Sequence, residues 1–97
     1  MKYYAAWKEA KALQWKAKVE ITLKRAVLDP QGIAVKNSLK ALGYEEVDQV
    51  RVGKYIELTL EASGRKEAAS RVEEMSRRLL SNPVIEDYSY TLQEAGL

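Results

Sequence analysis

The stretch WKAKVEITL at residues 15–23 decides how the rest of the chain is read. Its apolar and polar side chains alternate one by one, which is the period of a strand with one buried and one solvated face. Two of the segments that follow have the period of a helix, residues 30–42 and 65–80. Three others are rich in β-forming residues, namely 47–52, 55–62 and 84–92. The order β-α-β-β-α-β predicts an α+β, ferredoxin-like sandwich, in which two helices cover one face of a four-stranded antiparallel sheet.

The first helix has clear end signals. Asp29 can cap its amino terminus, Pro30 suits the first helical position, and Gly43 supplies a left-handed stop. Gly32 in the first turn is unexplained by capping, because glycine there costs about 0.5–1 kcal/mol relative to alanine. A glycine at position 32 would allow the close approach of another backbone, either from this chain or from a partner chain. A phosphate bound at the start of the helix is a third interpretation.

The pair Gly53-Lys54 predicts a β-hairpin between segments 47–52 and 55–62. A two-residue loop would leave Val50 and Val52 as an apolar patch on the face opposite Ile56, and a three-residue loop, 53–55, would return both valines to the Ile56 face. We favour the longer loop. Lys54 could alternatively reach a ligand.

The second predicted helix follows Ser63-Gly64 and ends near Leu80. Its packed side is predicted to consist of Ala68, Val72, Met75 and Leu79, which are spaced three or four residues apart. Unpaired edges of the sheet and a polar face without helices make a homo-oligomer plausible.

Residues 1–14 form a separate amino-terminal extension ahead of the domain at 15–97. Apolar side chains three or four apart, at Tyr3, Trp7, Ala10 and Leu13, predict a short amphipathic helix. That helix packs on the body, binds a partner, or is disordered; the sequence leaves the three readings open.

The composition excludes several function classes. The 97 residues include no cysteine and no histidine, so disulfides, thiol chemistry and imidazole-based triads are excluded. The net charge is +3 over residues 1–16 and −1 over 17–97, so the body lacks the basic surface of a nucleic-acid-binding protein. No apolar run is long enough for a membrane helix. We therefore expect a cytoplasmic chain that contacts neither nucleic acid nor membrane and binds no metal or cofactor.

Five segments together resemble the PurS family, the small subunit of phosphoribosylformylglycinamidine (FGAM) synthase in purine biosynthesis. They are KVEITLK (18–24), VLDPQG (27–32), Leu39 with ALGY (41–44), VRVGKYIEL (50–58) and LLSNPVIEDY (79–88). The resemblance spans about residues 16–95. It implies a non-catalytic subunit that forms homodimers or dimers of dimers and joins a glutaminase subunit to an ATP-dependent synthetase subunit, supporting ammonia transfer. Glutamine, ATP and Mg would be used by those partner subunits.

The resemblance also implies contact positions, carried by the shared segments; they are Asp29, Pro30, Gln31, Gly32, Arg51, Gly53 and Lys54. Two other classes stay open on the same topology. One is a regulatory domain of the amino-acid-sensing (ACT-like) type that binds a small molecule, and the other is an RNA-binding module. The RNA reading lacks the aromatic residues that stack bases on central strands.

Overall fold

A computed structural model describes residues 13–95. Its elements in chain order are β1 (Leu13–Leu23), α1 (Pro30–Ala41), β2 (Gly53–Ala62), α2 (Arg65–Met75), a π-helical turn (Ser76–Leu80) and β3 (Glu86–Glu94). Of the predicted amino-terminal helix, residues 1–12 lie outside the described residues. Its last two residues, Leu13 and Gln14, belong to β1.

The described strands form a three-stranded antiparallel sheet in the order β2-β1-β3. Residue 19 of the central strand pairs with residue 56 of β2 and with residue 90 of β3. Alternate side chains of β1 are buried on one face; they are Trp15, Ala17, Val19 and Ile21. The strand predicted from the alternation is confirmed, and the α+β class with it.

Among the described residues, a single helix covers this sheet. The buried residues Ala68 and Val72 of α2 pack against the inner face, whereas α1 has no extensive packing with any strand or with α2. The prediction that both helices lie on one face is therefore wrong for α1. No helix among residues 13–95 is long and apolar enough to span a bilayer.

The predicted strand at residues 47–52 is absent from the described sheet, so a four-stranded sheet is not formed. The reason is that the backbone of this segment is engaged by the start of α1. The N–H of Val52 donates to the Asp29 carboxylate rather than to a neighbouring strand. Segment 47–52 thus belongs to no strand, and β2 lies at the edge of the described sheet.

A π-helical turn shifts the packed side of the second helix. The N–H of Ser81 donates to the carbonyl of Ser76 at 2.9 Å, a bond that spans five residues. Ser76 is consequently buried, and Leu80 packs against the core. The predicted packing of Ala68 and Val72 is confirmed, but that of Met75 and Leu79 is wrong, since both are exposed.

Tyr90 and Glu73 join β3 to α2. The Tyr90 hydroxyl donates to Oε2 of Glu73 at 2.5 Å in a partly buried setting. This hydrogen bond, followed by burial and the nearby negative charge, raises the pKa of Tyr90 to about 12. The neutral phenol is therefore the form that the fold stabilises.

Replacing Tyr90 with phenylalanine should lower the free energy of unfolding by about 1 kcal/mol at neutral pH, because the bond to a carboxylate is lost. The pKa of this tyrosine is 10.0 without the fold and about 12 within it, so its contribution is complete below pH 10 and disappears as the pH rises to 12. Denaturant titrations between pH 8 and 12 should show less alkaline destabilisation for Tyr90→Phe than for the wild type. Tyr44→Phe, at an exposed tyrosine, should match the wild type; identical slopes for Tyr90→Phe would contradict the assignment.

Candidate contact site around Asp29

The predicted contact residues come together where the start of α1 meets the start of β2. They lie in two stretches more than 18 residues apart in sequence, 29–32 and 51–54. A hydrogen bond from Val52 to Asp29 and two shallow grooves connect these stretches. We call residues 29–32 and 50–54 the Asp29 junction.

The Asp29 carboxylate holds the junction together with both of its oxygens. Oδ1 accepts the N–H of Gly32 at 2.9 Å, which caps α1, and Oδ2 accepts the N–H of Val52 at 2.9 Å. The Val52 bond and then the Gly32 bond hold the pKa of Asp29 below its usual value. The carboxylate is therefore ionised at neutral pH, and its stabilising effect is lost only as the pH falls below the normal aspartate range.

Gly32 is buried because the backbone of this same chain passes over it. A Cβ atom at position 32 would lie 2.3 Å from the carbonyl oxygen of Val50. The close approach that the sequence left open therefore occurs inside the chain. The N–H of Gly32 donates to the Asp29 carboxylate, so a carboxylate already occupies the position that a phosphate at the helix start would need.

Arg51 and Gly53 attach the second stretch to the central strand. The Arg51 guanidinium donates to the carbonyl oxygen of Leu23, at the end of β1. Gly53 pairs with Thr22 as the first residue of β2, and a Cβ there would lie 2.3 Å from the carbonyl oxygen of Ile21. The predicted hairpin is therefore wrong at either loop length, because this glycine is required by the contact with β1 and not by a turn.

Lys54 lies in β2 and not at a loop tip. Its Nζ is 3.7 Å from Oε2 of Glu86, and the lysine side chain is 58% exposed. An exposed pair of this kind contributes about 0–1 kcal/mol to stability. Lys54 therefore stays available at the surface.

The two grooves of the junction have volumes of about 350 and 390 Å³. The first has an apolar lining from Ile21, Leu23 and Val52 with the Lys54–Glu86 pair beside it. Such a surface offers apolar contact and hydrogen bonds. No three histidine, cysteine, aspartate or glutamate residues are grouped to hold a metal ion within residues 13–95.

Sequence reasoning missed three contributions to this site. Glu86 pairs with Lys54 across the central strand, and Ile21 and Leu23 line the groove from β1. The alternation of β1 already placed both apolar residues on the inner face, which indicated that they line this end of the sheet. Glu86 had no such signal, since its partner lies 32 residues away.

Replacing Gly32 with alanine should destabilise the chain by about 1–3 kcal/mol, because the new methyl group meets backbone and cannot be relieved by a rotamer change. Thermal unfolding at fixed concentration measures this effect. The matched control is Gly64→Ala, where an added Cβ has nothing within 4 Å. Equal stability of the two variants would contradict the contact with Val50.

Comparison with known proteins identifies the family. Residues 16–94 match PurS, described as Phosphoribosylformylglycinamidine (FGAM) synthase. The phosphoribosylformylglycinamidine synthase subunit PurS of Bacillus subtilis is 51% identical over 80 residues, covering 82% of this chain and 94% of that protein.

Solved structures agree with this match. Thermus thermophilus PurS superposes with a TM-score of 0.77 at 42% identity, covering 86% of this chain and 99% of that one. A chain in the structure of PurLQS from Thermotoga maritima superposes with a TM-score of 0.77 at 29% identity, covering 82% and 98%. The chain thus belongs to the PurS family and is a subunit of FGAM synthase, an enzyme of purine biosynthesis.

Proposed function

We propose that this chain is a non-catalytic homodimeric subunit that joins a glutaminase subunit to an ATP-dependent synthetase subunit of FGAM synthase. Glutamine, ATP and Mg are used by those larger subunits, and this chain binds no cofactor of its own. Membership of the PurS family supports this proposal, as does the superposition on a chain of PurLQS from Thermotoga maritima. The cytoplasmic location expected from the sequence is part of the same proposal.

The observation that carries the proposal is the uncovered apolar side of α1. Val35 is 41% exposed and Leu42, just after the helix, is 74% exposed, although they share a helical stripe with Leu39. A 12-residue helix is marginal by itself in water and obtains most of its stability from packing of its apolar face. Within residues 13–95 neither α2 nor the sheet supplies that packing, and we assign it to another chain.

A second copy of this chain is the partner we assign to α1. Homo-oligomers most often use a two-fold axis, and the same surface then serves both copies. The unpaired edge of β2 lies beside α1 in the Asp29 junction, so one association can cover both features. The exposed residues Pro30, Gln31 and Lys54 of the junction remain for contact with the larger subunits.

Joining two catalytic subunits has a chemical purpose. A glutaminase releases ammonia, and ammonia that reaches neutral water becomes ammonium, which has no lone pair to attack an activated carbonyl. Holding the two active sites in a fixed arrangement that excludes water preserves the nucleophile and raises its effective concentration. Asp29, Gly32, Arg51 and Gly53 contribute by fixing the geometry of the contact surface.

Glutamine-dependent amidine formation by the cognate glutaminase and synthetase should fall at least tenfold when this chain is omitted. With ammonium chloride supplied at pH 8.5 instead of glutamine, the synthetase should form the amidine equally well with and without the chain, because no transfer between subunits is needed. Enzyme assays alongside size-exclusion chromatography measure both activity and co-elution. Equal glutamine-dependent activity without the chain would refute the proposal, and stabilisation of the isolated chain by an amino acid would favour the regulatory, ACT-like alternative.

Replacing Val35 with glutamate should convert the dimer to monomer, because a carboxylate would be buried at the contact between copies. The control is Asn37→Glu, which adds the same charge at an exposed polar position of the same helix. Sedimentation equilibrium at micromolar concentration distinguishes the two species. A Val35→Glu chain that stays dimeric would show that α1 does not form the contact.

A further inference from the structure

Leu42 is an uncovered aliphatic side chain at the carboxyl end of α1. It is 74% exposed, directly follows the last helical residue and continues the apolar row of Val35 and Leu39. Its N–H donates to the carbonyls of Ser38 and Leu39, both at 3.1 Å, so the backbone that carries this side chain is fixed. Docking of Leu42 into an apolar recess therefore costs little backbone entropy.

An apolar recess lies at the opposite end of the same helix. It is the first groove of the Asp29 junction, which has a volume of about 350 Å³. Its apolar lining comes from Ile21, Leu23 and Val52, next to Pro30 at the start of α1. Because Leu23 and Val52 are only half-buried, the groove keeps apolar surface in contact with water.

The chain's own Leu42 cannot reach this groove. The N–H of Val52 donates to the carboxylate of Asp29, which caps the start of α1. Leu42 follows the far end of the helix, and twelve helical residues span about 18 Å. Each copy of the chain therefore has an exposed leucine at one end of α1 and an apolar groove at the other.

Two antiparallel copies of α1 bring the leucine and the groove together. In a two-fold contact the same surface serves both copies. Two helices that pack antiparallel place the end of each one beside the start of the other. Leu42 of each copy then reaches the first groove of the other copy, so a single association fills both grooves.

The charges of α1 permit this contact. Lys36 and Lys40 are four residues apart and lie on one side of the helix, where Lys36 lines the second groove of the junction. The row formed by Val35, Leu39 and Leu42 carries no charge, so two copies can meet along it while the lysines face away. Antiparallel packing also places the positive amino end of each helix beside the negative carboxyl end of the other.

We propose that Leu42 of one copy fills the first groove of the Asp29 junction in a second copy, in a reciprocal contact that sets the two α1 helices antiparallel. The surface that we assign to the larger subunits is then built from both copies, because Leu42 of the partner subunit completes the groove beside Pro30 and Gln31. This inference rests on the proposed function, which supplies the dimer.

The absence of cysteine from the sequence allows a direct cross-linking test. The double variant Leu42→Cys/Val52→Cys should form a covalent dimer on oxidation with copper phenanthroline, at least ten times more than either single variant does, as measured by non-reducing electrophoresis. The two cysteines of one chain would be about 18 Å apart along α1, beyond the roughly 7 Å between Cα atoms that a disulfide allows. The cross-link therefore has to join two copies.

A second variant tests the same contact without a covalent bond. Leu42→Gln should raise the dissociation constant of the dimer at least tenfold in sedimentation equilibrium, because an amide would enter an apolar groove. The matched control is Leu79→Gln, the same substitution at a leucine that is 82% exposed near the end of the second helix, and it should leave the constant unchanged. Both leucines are exposed within the chain, so neither substitution disturbs its core.

The outcomes separate this inference from the proposed function. If the wild-type chain is dimeric and supports glutamine-dependent activity but the double variant forms no covalent dimer, the inference is refuted and the proposed function stands. Efficient cross-linking of Leu42→Cys alone would show that the two leucines meet each other, which also refutes it, as would equal dissociation constants for Leu42→Gln and Leu79→Gln. If the wild-type chain is monomeric at micromolar concentration, the inference fails. If it is also dispensable for glutamine-dependent activity, the proposed function fails as well.

Discussion

The two hydrogen bonds of the Asp29 carboxylate are the constraint on which the remaining architecture depends. One bond starts α1 and the other captures Val52 just before β2, so a single side chain fixes the helix relative to the sheet edge. The carbonyl of Val50 can approach only because position 32 has no Cβ. With residues 50–52 bound in this way, they add no strand to the free edge of β2 in the described sheet, and α1 is held at its first turn without extensive packing on the sheet.

The core that remains is small for a chain of this length. Among residues 13–95 the buried apolar residues comprise three alanines and four larger side chains; they are Trp15, Ala17, Val19, Ile21, Ala62, Ala68 and Val72. Small domains already bury a limited share of their surface, and exposing the stripe of α1 reduces that share further. Association with other chains, which stabilises the bound fold by mass action, then becomes part of the folding energetics of this subunit.

Local chemistry was predictable from the sequence and long-range contacts were not. The alternation of β1 and the cap and stop of α1 depend on neighbouring residues, and the structure confirms all three, with φ +103° at Gly43. Gly53 was misread because a glycine that meets Ile21 of another strand looks the same in sequence as one in a turn. The seven contact candidates were predicted only through the family resemblance, and the hydrogen bonds of Asp29 explain why they lie close together.

The distribution of charge separates the surfaces that face water from those that can face a protein. On the outer face of the sheet, Lys16 lies 3.6 Å from Glu57 of the neighbouring strand, so positive and negative groups balance within one chain. Near the end of the second helix, Arg71 and Arg78 share the carboxylate of Glu74 in the same way, at 3.5 and 3.6 Å. A surface whose charges pair within the chain has little electrostatic attraction for a partner, whereas the exposed apolar side chains of α1 lose contact with water when another chain covers them. Association of this chain therefore depends on where apolar groups lie uncovered and not on the net charge.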